Sequence, residues 1–334
     1  MTEIPDIGGL LILPRLRIQN ANAISSPMTH GFPSITAFLG LMWALGRKLP
    51  DHQSPLFDGI GVICHRAEEQ VTKGGYVRTF RLTRNPVEKD GGTAAIVEEG
   101  RIHLEVSLLL AIRSGDPVLE STDVQRQAVA DAVADEVSRS RIAGGSVLPS
   151  AAQPWQARPK LIRLDQEPAA RARQIRHLRR QWLPGFALVS RDDLLQQRLE
   201  ALRLDHPEAS ALDAWLDLSR FNWRAVQPDP DDEAPGAARG AVEWRPDTRK
   251  GWIVPIPVGY GGLGALQPAS TVANARDAET PLRFVESLYS IGQWVSPHRI
   301  NDLSALLWYG DADQSRGLYR ARNAYTRFVP SAQD

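Results

Sequence analysis

Cysteine is almost absent from this chain of 334 residues: Cys64 stands alone. A single thiol excludes an intrachain disulfide framework and a cysteine-rich metal site. Its setting, Ile60-Gly61-Val62-Ile63-Cys64, reads as a small core side chain rather than a nucleophile. Net charge is missing too, because 39 basic residues balance 39 acidic ones. No global field draws the chain to nucleic acid, so any such site must be a local patch with the acids held elsewhere. No apolar run reaches the roughly 20 residues that span a bilayer. The start, MTEIPDIGG, has no secretion-signal pattern. The expectation is a soluble, cytoplasmic protein. What remains, 43% hydrophobic and 23% charged, is ordinary for a globular chain of one elaborated or two smaller domains.

Signatures of chemistry are equally scarce. His30, His52, His65, His103, His177, His206 and His298 show no H-E-x-x-H or similar ligand spacing. His65 and His103 sit near strand ends and read as structural histidines rather than ligands. There is no G-x-S-x-G elbow and no G-x-x-x-x-G-K-[ST] loop. Glu98 and Glu99 are adjacent and point apart in an extended chain. Gly259-Tyr260-Gly261-Gly262-Leu263-Gly264 fits G-x-G-x-x-G after a strand, but Ala265-Leu266-Gln267-Pro268 is a poor opening for the helix that a dinucleotide site requires. It reads instead as a loop that lets a backbone come close to a phosphate chain or to another subunit. No catalytic constellation, metal or cofactor is implied.

The richest stretch runs from Leu10 to Arg47. An apolar β-type run, Leu10–Leu13, passes Arg15 and Arg17 into a segment of hydrogen-bonding side chains: Gln19, Asn20, Asn22, Ser25, Ser26, Thr29 and His30. A helix follows, with Ser34 as N-cap and Ile35, Phe38, Leu39, Met42, Trp43 and Leu45 at helical spacing. A polar loop between a strand end and a helix start suits phosphate and base-edge contacts. Asn and Ser are also good turn formers, and spacing alone leaves both readings open.

Along the chain, residues 1–150 read as strand, helix, strand, insertion, strand, helix, strand. The strands are Gly9–Ile18, Phe57–His65, Ile102–Ile112 and Ser146–Leu148; the helices are Ser34–Lys48 and Asp123–Arg139. That α+β order, βαββαβ, is ferredoxin-like or RRM-like. The insertion, residues 66–100, alternates Val77, Phe80 and Leu82 with Arg78, Arg81 and Arg84, the pattern of a projecting basic hairpin or thumb. Residues 151–334 form a helical segment and a C-terminal β extension. Gln166–Trp182 is an arginine-rich helix on which Arg173, Arg176 and Arg180 share one face. Such a run is usually a solvated face, although a polyanion or acidic partner can use it. A strand Phe186–Ser190 and helices Asp192–Arg203 and Ser210–Phe221 follow. Residues 227–240 have the composition of a flexible exposed loop. Trp252–Val258 is a strand confined by Pro255 and Pro257 to an edge or bulge, and a helix is expected around Phe284–Trp294.

The wording of the chain goes further than its patterns. LPRLRIQNANAISSP at 13–27, LTRNPVEKDGGTAAIVEEGRIHLEVSLLLAI at 82–112, LPGFALVSR at 183–191, WIVPIPVGY at 252–260 and NARDAETPLRFVE at 274–286 resemble the Csy-two family. This is the Cas-five-like RAMP-superfamily subunit of type I-F CRISPR surveillance (Csy) complexes. The resemblance implies a non-catalytic assembly subunit that holds the 5′ handle of the CRISPR RNA and pairs with the large type I-F subunit. It also implies contact with the first backbone subunit of the guide filament, with target double-stranded DNA and its PAM entering nearby. On the chemistry above, the expected RNA contacts are Arg15, Arg17, Gln19, Asn20, Asn22, Ser25, Ser26 and His30. Arg78, Arg81, Arg84 and Asn85 are added from the thumb, Gly259, Gly261, Gly262 and Gly264 from the glycine-rich segment, and Arg276 and Arg283 beside Thr280-Pro281. The competing readings are a metal-independent RAMP endoribonuclease using His30 as acid or base, and an adaptor that binds protein alone.

Overall fold

The run Leu10–Leu13 forms the middle of β1 (Ile7–Asn22), and all four of its side chains are buried. Alternation sends Leu11 and Leu13 into one core and Leu10 and Ile12 into a second, so the strand carries apolar residues on both faces. The computed structural model describes residues 4–50, 54–75, 77–81, 83–84, 87–88, 90–93, 96–97, 99–226, 242–247, 251–275 and 277–328. It is an α+β structure built on one long antiparallel sheet.

After β1 come a short hairpin, β2 (Ile24–Ser26) with β3 (Thr29–His30), and helix α1 (Ile35–Lys48). Ser34 caps α1 as expected, its hydroxyl accepting from the Thr36 N–H at 3.3 Å. The helix buries Ile35, Phe38, Leu39, Leu41, Met42 and Leu45, each worth about 1.5–3 kcal/mol against exposure. Trp43 departs from the expected stripe and is 56% exposed, because its position lies off the edge of the apolar face. Next is β4 (Phe57–Glu69). The insertion contributes the hairpins β5 (Val71–Gly74) with β6 (Val77–Phe80) and β7 (Thr83–Arg84) with β8 (Ile96–Val97). β9 (Arg101–Arg113) returns to the sheet, and α2 (Asp123–Ser138) begins with a reciprocal capping box between Thr122 and Gln125. The hairpin β10 (Arg141–Ile142) and β11 (Gly145–Leu148) completes this part, with strand order β10–β11–β1–β9–β4.

The second half adds α3 (Pro154–Ala157), β12 (Lys160–Arg163) on the β1 edge, α4 (Pro168–Gln181) and β13 (Phe186–Ser190). Helices α5 (Asp192–Asp205) and α6 (Ala211–Ser219) follow, then a separate ribbon of β14 (Trp223–Val226) and β15 (Glu243–Pro246). β16 (Trp252–Gly262), β17 (Val285–Val295), β18 (Trp308–Asp313), β19 (Leu318–Asn323) and the short α7 (Tyr325–Phe328) end the described chain. The sheet continues from β4 through β13, β17, β16 and β19 to β18, and the pairing of Trp308 with Ile60 brings β18 back to β4. Six strands thus close on themselves, with β4 common to both halves. Inside, the Trp308 indole N–H donates to the Leu188 carbonyl at 2.8 Å.

Three expectations are corrected. The helix expected around Phe284–Trp294 is strand β17, paired with both β13 and β16; its β-branched and aromatic residues, with Gly292 mid-run, suit a sheet. The segment Gln19–Asn22 is not loop but the end of β1, paired with β9 and β11, and two bulges place Arg15 and Asn20 at positive φ. Gly259–Gly262 lie on β16 rather than in a loop. Pro255 and Pro257 behave as expected: β16 has β17 on one side there, gains β19 only from Gly259 onward, and is bulged between Pro257 and Gly259. Residues 227–240 lie outside the described residues.

Candidate nucleic-acid interface

The two arginines of the first block have different surroundings. Arg15, at φ 52°, is folded inward: its guanidinium meets Glu105 at 3.0 Å and the Leu183 carbonyl at 3.2 Å, and its side chain is 18% exposed. Its backbone N–H donates to Ser107 Oγ at 3.1 Å. Arg17 points outward and, among the described residues, reaches only the Pro149 carbonyl, at 3.4 Å. Gln19 and Asn20 are exposed beside it, and the Asn20 N–H donates to His103 Nδ1 at 3.1 Å. Arg17 and Gln19 line a recess of about 240 Å³ with Arg66, Glu68 and His103.

The hydroxyls in the next turn are occupied locally. Ser26 Oγ lies 2.6 Å from Thr29 Oγ1, Ser25 Oγ 2.8 Å from the same atom, and the Met28 N–H donates to Ser26. Asn22 closes an Asx turn with Ile24, donating to its carbonyl at 2.8 Å and accepting from its N–H at 3.1 Å. The turn-forming chemistry of these residues is therefore realised in the β2–β3 hairpin. Asn22 and Ser25 also edge a second recess of about 400 Å³ with Ser34, Thr36, Tyr260 and Tyr319.

His30 and Arg78 border a third and larger space, a cleft of about 690 Å³. Its floor is the end of β4, Cys64 to Glu69, with Ile102. One wall is the β5–β6 hairpin through Val71, Lys73 and Arg78; the other carries Phe32, Phe186, Trp252 and Trp294. His30 Nδ1 is 3.9 Å from Glu69, and its ring lies 5.0 Å from that of Phe80. Arg81 is exposed and donates to Gln70 Oε1 at 3.0 Å. Arg84 is on β7, while Asn85 and Arg276 lie outside the described residues.

The glycines divide by environment. A Cβ at Gly259 would stand 2.0 Å from the Tyr319 carbonyl oxygen, and one at Gly262 would meet Arg283 Cδ at 2.8 Å, so both serve close packing within the sheet region. Gly261 faces Leu288, and Gly264 has open space. Arg283 lies over Gly262 and Gly317 and reaches the Gln314 carbonyl at 3.5 Å. Of the sequence-derived residues, Arg17 and Gln19, Asn22 and Ser25, and His30 and Arg78 line three neighbouring recesses, whereas Arg15, Asn20, Ser26 and Arg81 line none of the three. Lys73, Phe186, Trp252 and Trp294 were not among the sequence-derived residues. For Phe186 and Trp252 a signal was available: aromatics opening the strands of the blocks at 183–191 and 252–260.

Little here supports covalent chemistry. Burial pushes the half-buried Cys64 thiol up to about 12. Burial also depresses His65, which is held between the Pro184 carbonyl and Ser107 Oγ at 2.7 Å each. His65 and His103 each have their own partner. Among the described residues no group of three or more His, Cys, Asp or Glu is placed to hold a metal, and no helix is long and apolar enough to cross a membrane.

Residues 11–321 match the family described as CRISPR-associated protein (Cas_Csy2). The CRISPR-associated protein Csy2 of Pseudomonas aeruginosa (strain UCBPP-PA14) is 49% identical over 323 residues, covering 95% of this chain and 96% of that protein. With nearly full coverage in both directions, the chain belongs to the type I-F CRISPR-associated Csy2 family that its sequence resembles.

Proposed function

We propose that this chain is a non-catalytic RNA-binding subunit of a type I-F surveillance complex. In this role it grips the 5′ handle of the CRISPR RNA, pairs with the large subunit, and abuts the first backbone subunit near the site where PAM-bearing duplex enters. The observation that carries the reading is family membership along residues 11–321, which takes in every recess described above. Residues 1–150 form, in this reading, a ferredoxin-like RAMP domain; the strand order β11–β1–β9–β4 with α1 and α2 between them supports it. Residues 151–334 supply the helical segment and β extension, and the protein works in the cytoplasm.

In this arrangement Arg17, Gln19 and Asn20 offer exposed donors to single-stranded handle bases and phosphates, and Arg78 and Arg81 press from the thumb-like insertion. Arg15 positions the strand end through Glu105 and Leu183 rather than touching phosphate. The test is co-expression with the large subunit and CRISPR RNA, followed by size-exclusion chromatography and sequencing of the bound RNA. A stable heterodimer carrying RNA with one repeat-derived 5′ end is expected. A monomer free of RNA refutes the reading. The endoribonuclease alternative rests on His30 beside Glu69, and it requires cleavage of repeat RNA in EDTA that His30→Ala abolishes.

A further inference from the structure

We infer that the cleft between the β5–β6 hairpin and the aromatic wall seats one unstacked nucleotide of a single strand, its base on Trp252 and its phosphate on Lys73 and Arg78. The inference deepens the RNA-binding reading and rests on it.

Three observations carry it. First, the aromatic wall is exposed where a core would hide it. Trp252 is 57% and Phe186 43% exposed, yet both are fixed: Phe186 meets Trp252 edge to face at 5.5 Å, and Trp252 tilts against Trp294 at 6.2 Å. Phe32 in turn packs edge-on to Trp294 at 4.9 Å. A rigid, half-exposed indole offers a π-face to any base without a large ordering cost. Second, Lys73 and Arg78 are directly opposite one another across the β5–β6 pair, and both line the cleft. Like charges in that relation repel, and neither has an acidic partner among the described residues, so an anion between them would relieve the hairpin. The cleft's carboxylates are turned to other tasks: Glu68 pairs with Arg66 at 2.8 Å, and Glu69 lies by His30. Third, the space of about 690 Å³ lies within the roughly 300–1,000 Å³ typical of small-ligand sites, where a flat alternative would give no enclosure. Aromatic on one wall and cationic on the other match the two ends of a nucleotide. A protein side chain would satisfy the first wall and leave the second unneutralised.

The full-length protein is titrated with an oligoadenylate of about 12 nucleotides, within the roughly 4–16 that a groove of this class covers, and with an abasic ribose-phosphate strand of equal length. Trp252→Ala should weaken oligoadenylate binding about 5- to 140-fold and leave the abasic strand unchanged; Trp252→Phe should retain most of the affinity. Lys73→Ala with Arg78→Ala should weaken both strands and flatten the salt dependence by about 0.7 log-log units for each phosphate no longer neutralised. Equal oligoadenylate binding by wild type and Trp252→Ala, equal losses on both strands, or no binding by the wild type overturns the inference. RNA co-purified in the complex separates this failure from failure of the parent reading. If Trp252→Ala still carries RNA with the repeat-derived 5′ end at wild-type yield and affinity, handle binding stands and the cleft is not its seat.

Discussion

Replacing Gly259 with Ala tests what the glycine-rich segment is for. A Cβ there would lie 2.0 Å from the Tyr319 carbonyl oxygen and 2.9 Å from Arg320 Cα, both backbone atoms of the paired strand β19. Neither can rotate away, so β16 and β19 must separate or the bulge after Pro257 must rearrange. Overpacking of this kind reaches the top of the roughly 1–3 kcal/mol range. The unfolding entropy of about 2.1 cal/mol/K per residue amounts to about 0.7 kcal/mol/K for 334 residues, so 3 kcal/mol corresponds to about 4 °C. Gly264→Ala, five residues on, has nothing within 4 Å of its new Cβ and should stay within about 1 °C of wild type. Differential scanning calorimetry of the two variants reads the contrast. If Gly259→Ala melts with the wild type while Gly264→Ala falls, the segment is not a strand contact, and the reading of β16 and β19 is wrong.

The other consequences concern single side chains. Arg15→Ala leaves Glu105 and the Leu183 carbonyl without their partner and should lower the melting temperature by about 1–4 °C, for a destabilisation of about 1–3 kcal/mol; Arg17→Ala should leave melting unchanged and weaken RNA binding. Melting curves and filter binding on the same preparations separate the two roles, and a reversal of them sinks the assignment. Because burial lowers the His65 pKa from 6.5, the unfolded chain takes up the proton more readily; its contribution is present above pH 6.5 and lost as pH falls through the depressed folded value. Melting temperature against pH should therefore fall more steeply below pH 6.5 for wild type than for His65→Gln, and parallel curves refute this. Cys64, its thiol pushed up to about 12, should resist iodoacetamide at neutral pH and be alkylated once the protein is unfolded, as mass spectrometry would report.

What the sequence made legible was the periodic part of the molecule. The continuous apolar runs of β1, β4 and β9 and the capped stripe of α1 are local signals, and Ser34 marked a helix start that the structure bears out. The β17 segment misled because Leu288, Ile291 and Val295 also fit a helical stripe, and only pairing on both sides fixes it as strand. Arg15 and Arg17 are alike in the sequence; a bulge that turns one inward is set by the register with β9, which no short window contains. The cleft was illegible for the same reason. Its walls are drawn from residues near 30, 70, 186, 252 and 294, which meet only once the strands have paired.

The position of β4 has a consequence for how the chain is made. Its outer edge is covered by β13, whose residues begin at Phe186, and by β18 at Trp308. At about 5–20 residues per second, the ribosome needs roughly 12–48 seconds between finishing Glu69 and reaching Trp308. For that interval the nascent chain displays an apolar strand edge at Ile60, with Ile63 beside it uncovered until β13 is made, a template for pairing with any neighbouring polypeptide. Nascent-chain quality control therefore faces its greatest demand mid-synthesis. Transcripts truncated after the first half should yield aggregates rather than a smaller working protein, however complete that half looks on paper.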